Sequence, residues 1–216
     1  MKKAELLMKK LWLEKRKFVD SMSIKELCEE LNTEYSNMIR YLLSRGYLIR
    51  VFRGVFYVKS VEEIKLKKID VSHLELIARG LRIKGVDNWY FGLYTALRLN
   101  GLTHEYFDVI FVINDSIFRS KEIRIAGERV KFIKLKKGLF GFGIIKKDAI
   151  KFSDPEKTLL DFVYVSRYRS LPEERIGLIV EEYLEKLDPK KVRVYLKFYP
   201  KTVENVMRNA GISGSP

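Results

Sequence analysis

Three carboxylates lie close together in the sequence, at Asp154, Glu156 and Asp161. Acidic side chains at this spacing could hold a divalent metal ion, and bound metal ions can support the hydrolysis of nucleic acids. The same stretch also has the features of a helix start, with Ser153 at the N-cap, Pro155 in the first turn and Glu156 at the third helical position. Carboxylates at a helix N-terminus also interact favourably with the helix dipole. The pattern therefore favours a structural role, and we predict neither a metal site nor a catalytic site here.

Other residue types with catalytic potential do not form a recognisable site. His73 and His104 are the only histidines, and neither lies at metal-ligand spacing from another His or Cys. The glycine-rich stretch 138–143 lacks the Lys-Ser/Thr of a phosphate-binding loop, so we predict a turn that enters a strand. Cys28 is the only cysteine and lies on a predicted core face, which excludes a disulfide within the chain and suits a reducing cytosol. We predict a cytoplasmic protein that is not an enzyme and needs no cofactor or metal.

A different chemistry, hydrogen bonding to DNA, is suggested by residues 21–58. Apolar residues recur at positions 24, 27, 28 and 31, which predicts a short helix, and Ser23 with Glu26 predicts the capping box that starts it. A second helix is predicted from Tyr35 to Ser44, and Gly46 ends it. Its outward face carries side chains that can reach base edges in a DNA groove: Ser36, Asn37, Arg40 and Tyr41.

A basic β-hairpin is predicted directly after these two helices. The runs 48–52 and 55–58 read as strands, and Arg53-Gly54 forms the two-residue turn between them. Arg50 and Arg53 are expected to contact DNA phosphates or the minor groove. Helix, turn, helix and hairpin is the order of a winged helix-turn-helix domain, so we predict double-stranded DNA as a partner. The alternative from pattern alone is a protein-interaction module, a role that similar small domains also have.

The charge of the chain agrees with a polyanionic partner. The formal net charge is +14 and the isoelectric point is about 9.7. Basic residues exceed acidic ones by six in residues 1–60, by six in 61–150 and by two in 151–216, so the N-terminal part is the most basic per residue. No apolar run approaches the ~20 residues of a membrane helix. Lys9 and Lys10 interrupt the apolar stretch after the start, so we expect no signal peptide.

The elements that must position these residues predict an α+β fold. We predict a winged helix-turn-helix domain over 1–60, a charged connector over 61–70, an α+β domain over 71–210 and a disordered tail over 211–216. The first domain opens with a helix at 4–18, and Phe18-Val19 could begin a strand that pairs with the hairpin. The second domain is expected to hold a small antiparallel or mixed sheet flanked by helices. Its predicted elements are helices at 72–83 and 88–100, strands at 109–113, 122–125, 130–135 and 140–145, and helices at 154–168, 172–187, 190–198 and 201–210.

Three stretches together resemble one protein family. The stretch from Arg50 to Phe56 is similar to a wing of the form R-x-x-R-G-V-Y/F, and Tyr94 to Thr103 is similar to a helix end of the form A-L-x-x-x-G-L-T. The stretch from Ser153 to Asp161 is similar to S-D-P-E-R/K-T-L-x-D. In this order and spacing, over roughly residues 20–165, they resemble AbiEi-type antitoxins, the antitoxin and transcriptional-regulator half of type IV toxin–antitoxin systems of bacteria and archaea.

The resemblance implies a division of labour between the two predicted domains. The winged domain would bind the promoter of its own operon, and the α+β domain would help to neutralise a nucleotidyltransferase-like toxin encoded next to it. The resemblance implies no enzymatic activity and no metal. Two alternatives stay open: a plain winged-helix transcription factor whose second domain senses a ligand or dimerises, and a metal-dependent nucleic-acid enzyme that uses Asp154, Glu156 or Asp161.

Overall fold

The computed structural model describes residues 2–168 and 172–211, and these residues form an α+β fold with ten α-helices and two β-sheets. The predicted α+β class is therefore confirmed, whereas the winged helix-turn-helix domain stays a prediction. The chain divides into two compact units, one made of residues up to 87 with 124–128, the other of 88–123 with residues from 129 onward. The tail predicted over 211–216 lies, apart from Gly211, outside the described residues. Within the described ranges, no helix is both long enough and apolar enough to cross a bilayer.

The first unit combines helices with a three-stranded antiparallel sheet in the order β1-β3-β2. Strand β1 pairs with β3, as predicted for the segment at Phe18, and Arg53-Gly54 joins β2 to β3. The first helix ends at Leu13 and is shorter than the predicted 4–18. The elements up to residue 83 are α1 (Lys2–Leu13), β1 (Phe18–Asp20), α2 (Ser21–Glu30), α3 (Tyr35–Ser44), β2 (Leu48–Phe52), β3 (Val55–Val58), α4 (Val61–Leu66) and α5 (His73–Ile83).

Helix α2 begins at a different residue from the one predicted. Asp20 is its N-cap, and the Asp20 carboxylate accepts a hydrogen bond from the backbone N–H of Ser23 at 2.8 Å. The capping box predicted from Ser23 and Glu26 was therefore wrong. The physical reason is that β1 runs to Asp20, so the helix starts at Ser21 and its third residue is Ser23. The apolar face of α2 is buried as predicted, with Ile24, Leu27 and Cys28 inside the core.

The segment predicted as a connector, 61–70, contains helix α4 and is tied to the sheet of the first unit. Ser60 and Glu63 form the capping box that starts α4. The Glu63 carboxylate is buried, and one of its oxygens accepts hydrogen bonds from the Tyr57 hydroxyl and the backbone N–H of Asp70, each at 2.7 Å. These bonds hold both ends of the segment on one buried group, so it is not a free linker.

Helix α5 also belongs to the first unit, although the boundary was predicted before it. A Cβ atom at Gly80 would lie 2.7 Å from side-chain atoms of Val51 and Phe52 on β2. The backbone of α5 thus packs directly on β2. The contacts therefore divide the chain after Asp87 and not within 61–70.

The elements that follow residue 87 include a six-stranded mixed sheet in the order β6-β7-β5-β4-β9-β8. Strand β4 pairs antiparallel with β5 and parallel with β9, β5 pairs parallel with β7, and β8 pairs antiparallel with β9. The elements are β4 (Trp89–Phe91), α6 (Leu93–Leu99), β5 (Val109–Asn114), β6 (Ile123–Ile125), β7 (Glu128–Lys134), β8 (Ile144–Lys147), β9 (Ile150–Ser153), α7 (Pro155–Tyr168), α8 (Glu173–Leu184), α9 (Pro189–Leu196) and α10 (Lys201–Asn209).

Two strands in the middle of this sheet were not predicted. The first part of the segment expected to form a helix over 88–100 is strand β4. Helix α6 starts only at Leu93, where the backbone has a left-handed φ of +50°. Trp89, Tyr90 and Phe91 are all buried, and a short run that is apolar on both faces cannot be told from a helix by periodicity. Strand β9 was missed because it is only four residues long and a single residue, Asp154, separates it from helix α7. The four C-terminal helices were predicted at nearly the observed positions.

Candidate nucleic-acid interface

Helix α3 has one buried face and one solvent-exposed face. Met38, Ile39 and Leu42 are buried in the core of the first unit. Their spacing is that of one helix face, so the residues between them must point outward. The outward positions hold the predicted site residues: Ser36, Asn37 and Arg40 are exposed, and Tyr41 is half-buried.

The N-terminus of α3 carries a carboxylate that sequence reasoning did not include. Glu34 occupies the N-cap position but makes no side-chain bond to the helix backbone. Its carboxylate instead accepts hydrogen bonds from the Ser36 hydroxyl and, at 2.5 Å, from the Asn37 amide nitrogen. Two of the predicted site residues are thus held in place by Glu34. The only sequence feature that could have predicted these bonds is the position of an acidic residue directly before a polar helix face.

The C-terminal half of α3 adds an aromatic and basic surface. The Tyr41 ring lies 6.5 Å from the ring of Tyr47, and the Arg45 guanidinium lies 5.7 Å from the centre of the Tyr41 ring. Ser44 donates its hydroxyl to the carbonyl of Tyr41 at 2.9 Å, so this side chain is used within the helix. Arg45 is exposed and was also missed among the predicted residues, although it directly follows the predicted helix.

The turn of the β2–β3 hairpin is fixed to the start of α2. Ser21 donates its backbone N–H to the Gly54 carbonyl at 2.9 Å, and the Ser21 hydroxyl donates to the same oxygen at 3.2 Å. Gly54 has a φ of +76°, and a Cβ atom there would lie 2.4 Å from the Ser21 hydroxyl oxygen, so only glycine fits. This attachment holds the exposed Arg53 at a defined place on the tip of the hairpin.

Arg50 lies on β2, opposite Phe56 of β3. Its guanidinium lies 5.8 Å from the centre of the Phe56 ring, and the residue is exposed. All six predicted site residues therefore lie in the first unit, and five of them are exposed. In the described residues, the structure places hydrogen-bonding groups on α3 and guanidinium groups on the hairpin.

The first carboxylate of the acidic stretch in the second unit, Asp154, is buried and bonded. One of its oxygens accepts the backbone N–H of Lys157 at 2.8 Å, which makes Asp154 the residue that caps α7. Its other oxygen accepts the Tyr195 hydroxyl at 2.9 Å. The N-cap predicted at Ser153 was therefore wrong, because Ser153 is still part of β9 and its hydroxyl lies 2.7 Å from that of Thr158.

Glu156 joins the start of α7 to the start of α9. One carboxylate oxygen accepts the backbone N–H of Asp188 at 3.1 Å, and the other accepts the Lys191 ammonium at 2.8 Å. The same ammonium lies 2.7 Å from Asp154. One cation thus neutralises two carboxylates that are themselves almost fully buried.

Asp161 is completely buried and accepts hydrogen bonds from two tyrosines. The Tyr90 hydroxyl lies 2.8 Å and the Tyr199 hydroxyl 2.7 Å from its carboxylate oxygens, and the Lys157 ammonium lies 3.4 Å away. Lys157 is also fully buried, and its ammonium lies 4.6 Å from the centre of the Phe142 ring. Burial raises the pKa of the Asp161 carboxyl and lowers the pKa of Lys157, while their mutual attraction opposes both shifts.

The three carboxylates are thus bonded to protein donors on different elements. Among residues 2–168 and 172–211, no group of three or more His, Cys, Asp or Glu side chains is placed to hold a metal ion. These bonds connect α7 to α9 and to Tyr90 and Tyr199, and each partner offsets the cost of burying the carboxylate that it contacts.

Two of the stretches that carry the family resemblance meet in the second unit. The Asn100 amide nitrogen donates to the carbonyl of Ala96 at 2.7 Å and to the carbonyl of Ser153 at 2.9 Å. Asn100 ends α6 within the first of these stretches, and Ser153 begins the second. The two stretches are therefore parts of one packed structure and not two separate sites.

Comparison with known proteins gives information on the fold. No family model matches the chain, and no curated protein matches it. Among solved structures, the chain is similar to the RV2827C protein from Mycobacterium tuberculosis, with a TM-score of 0.60 and 13% sequence identity. The similarity covers 98% of this chain and 78% of that protein. The two proteins share a fold over nearly the whole length of this chain.

Proposed function

We propose that this protein is a DNA-binding transcriptional regulator. In this proposal the first unit is a winged helix-turn-helix domain, α3 is its recognition helix and the β2–β3 hairpin is its wing. The observation that carries the proposal is the exposed face of α3, where the polar side chains of Ser36, Asn37 and Arg40 are all solvent-exposed. The first two are hydrogen-bonded to Glu34 in the unbound protein. A helix with such a face fits the major groove of B-DNA, where each base pair presents a distinct pattern of donors and acceptors.

Each proposed contact has a chemical role. Arg40 can donate two hydrogen bonds to guanine. Asn37 can form two hydrogen bonds with the major-groove edge of adenine. Both contacts would give sequence preference. Arg50 and Arg53 would neutralise phosphates or enter the minor groove, which would give affinity without reading the sequence. The net charge of +14 supports attraction to DNA at a distance.

The test is the binding of the full chain to DNA from upstream of its own gene, compared with unrelated DNA. Arg40→Ala is expected to lose roughly 1–3 kcal/mol of discrimination between the two, because an Arg–guanine contact carries that much. Arg53→Ala is expected to weaken binding to both DNAs alike and to reduce the salt slope by about one. Lys147→Ala, which removes an exposed lysine of β8 in the second unit, is the control. Unchanged binding in both arginine variants would contradict the proposal.

We further propose that the protein acts as an antitoxin against a nucleotidyltransferase-like toxin encoded next to it. Support comes from the resemblance of three stretches to AbiEi-type antitoxins, two of which are joined by the hydrogen bond between Asn100 and Ser153. In this proposal the protein represses its own operon, and no step requires an enzymatic activity of this chain. Co-expression of the full chain with the adjacent gene tests it. If the cells are not protected while the promoter is still repressed, a plain winged-helix regulator is the better description.

A further inference from the structure

A groove of about 660 Å³ opens on the second unit beside the end of β7 and helix α7. Its floor includes the buried aliphatic side chains of Ile133, Leu135 and Val165. Four basic residues also line it, and none of the described lining residues is acidic. The basic residues, which we call the basic rim, are Arg119, Lys131, Lys134 and Lys136. The groove therefore combines an apolar floor with a rim of a single sign of charge.

The loop that brings Phe118 and Arg119 to the groove is held at both ends. Asn114, which is fully buried, accepts hydrogen bonds from the backbone N–H groups of Ser116 and Ile117. At the other end, the Lys131 ammonium donates to the Ser120 carbonyl at 2.6 Å. Phe118 is 74% exposed between these two attachments. A large apolar side chain is thus presented to solvent by a fixed loop, directly beside the apolar floor of the groove.

We propose that this groove binds an acidic, extended segment of a partner protein. One or two large apolar side chains of the segment would occupy the floor and contact Phe118, and flanking Asp or Glu side chains would face the basic rim. An apolar anchor in a pocket supplies most of the energy of such interfaces, and complementary charges select the partner and speed its association. The single sign of the rim would exclude basic segments, since like charges would face each other.

The shape of the floor favours a polypeptide over a nucleic acid strand. Single-stranded nucleic acids bind by stacking successive bases on exposed aromatic rings. Of the described aromatic residues that line the groove, only Phe118 is exposed, because Phe132 is buried and Tyr164 is half-buried. The aliphatic floor instead matches the side chains of leucine or phenylalanine in a protein segment. The proposal uses residues of the second unit alone and does not depend on DNA binding by the first.

The test measures the binding of a fluorescein-labelled peptide to the full chain by fluorescence anisotropy. The probe has the sequence Glu-Glu-Glu-Leu-Phe-Leu-Glu-Glu-Glu, and a second peptide with Gln in place of every Glu reports the contribution of charge. The variant Lys134→Glu/Lys136→Glu reverses two charges of the rim. The matched control, Lys146→Glu/Lys147→Glu, makes the same change on exposed lysines of β8. A third variant, Phe118→Ser, removes the exposed ring without touching the core.

We expect the acidic peptide to bind and the rim variant to weaken it by about tenfold or more, because each reversed charge replaces an attraction by a repulsion. Phe118→Ser should also weaken binding, while the control variant should bind like the unaltered protein. Absence of binding, or an equal loss in the rim and control variants, would overturn the proposal. Tighter binding of a labelled oligothymidine, sensitive to the same rim variant, would overturn it in favour of a nucleic acid strand.

Discussion

Glu34 places a negative charge at the start of the helix that carries the proposed DNA-binding residues. Its carboxylate holds Ser36 and Asn37 in the unbound protein, so these side chains must exchange partners before they can bond to bases. The same charge repels phosphates nearby. Glutamate can also accept a hydrogen bond from the amino group of cytosine. Glu34 would therefore lower the affinity for DNA in general and increase the preference for particular sequences.

We predict that Glu34→Gln binds unrelated DNA about threefold more tightly and discriminates less between upstream and unrelated DNA. The substitution keeps the shape of the side chain and removes its charge, and an exposed charge of this kind is worth up to about 1 kcal/mol. Anisotropy titrations of the full chain with both DNAs provide the measurement. Glu26→Gln on the neighbouring helix α2 is the control and should change neither value. Weaker binding to all DNA would show that Glu34 is needed to hold the start of α3.

Asp161 is a fully buried carboxylate whose hydrogen bonds indicate a structural role. Its carboxylate satisfies two buried tyrosine hydroxyls and stands beside the buried ammonium of Lys157. We predict that Asp161→Asn lowers the free energy of unfolding by about 3–5 kcal/mol, because it removes the carboxylate nearest to the buried ammonium of Lys157. Urea unfolding of both proteins provides the measurement.

The control for this prediction is Glu204→Gln, which breaks a surface pair with Arg208 one helical turn away. It should cost only about 0.5 kcal/mol, since solvent screens this pair. Calorimetric titration of the unaltered protein with Mg²⁺ or Mn²⁺ adds an independent check. Specific metal binding that disappears in Asp161→Asn would favour the enzymatic alternative over a structural role.

At the scale of single elements, the start of α2 depends on Asp20. We predict that Asp20→Ala costs about 1 kcal/mol of stability at neutral pH, whereas Glu26→Ala costs much less. The Ser23 N–H that bonds to Asp20 lowers the pKa of this carboxyl from its ordinary value of 3.8. The stabilisation is therefore complete above pH 3.8 and disappears as the pH falls through the lower pKa of the folded state. Unfolding curves at several pH values should show the two proteins converging in acid, and a constant difference would contradict the assignment.

The packing of α5 on β2 gives a second prediction for an element. Gly80→Ala should destabilise the protein by about 1–3 kcal/mol, because the added methyl group would collide with Val51 and Phe52. Gly177→Ala is the matched control, since Gly177 also lies in a helix but has nothing within 4 Å of the added atom. Alanine there should be neutral or stabilising by up to about 1 kcal/mol. Thermal unfolding compares the two. Equal stability of both variants would mean that α5 does not pack closely on β2.

For the whole molecule, the proposed activities lie in different compact units. The residues proposed to bind DNA all belong to the first unit, whereas two of the three stretches that resemble antitoxins belong to the second. The first unit includes α4 and α5, so a fragment that ended at residue 60 would lose the partners of Tyr57 and β2. Substitutions in the full chain are therefore better suited than fragments to separate the activities.

We predict that Arg40→Ala/Arg53→Ala in the full chain loses repression of its own promoter but still protects cells from the adjacent toxin gene. The reason is that both arginines are exposed, so the substitutions remove contacts to DNA without disturbing a core. A reporter fused to the promoter measures repression, and growth during co-expression measures protection. Loss of both activities in a folded variant would show that protection requires DNA binding.

The sequence alone determined the elements whose signals are local. Helix α3 and the β2–β3 hairpin were found because an apolar repeat and a two-residue turn are set by neighbouring residues, and the exposure of Arg40 and Arg53 followed from that periodicity. The C-terminal helices were found for the same reason. The prediction that these side chains bind DNA remains a prediction.

The tertiary structure decided what depends on residues far apart in the chain. Asp161 bonds to Tyr90 and Tyr199, which are 71 and 38 residues away in the sequence. A local sequence pattern cannot predict such a cluster. Strand β4 resembles part of a helix until its pairing with β5 and β9 is known, because both faces of a central strand are buried. The groove beside β7 is likewise formed by three segments that are separate in the sequence: residues 118–120, 131–136 and 164–165. Only the packing of these segments brings the apolar floor and the basic rim together.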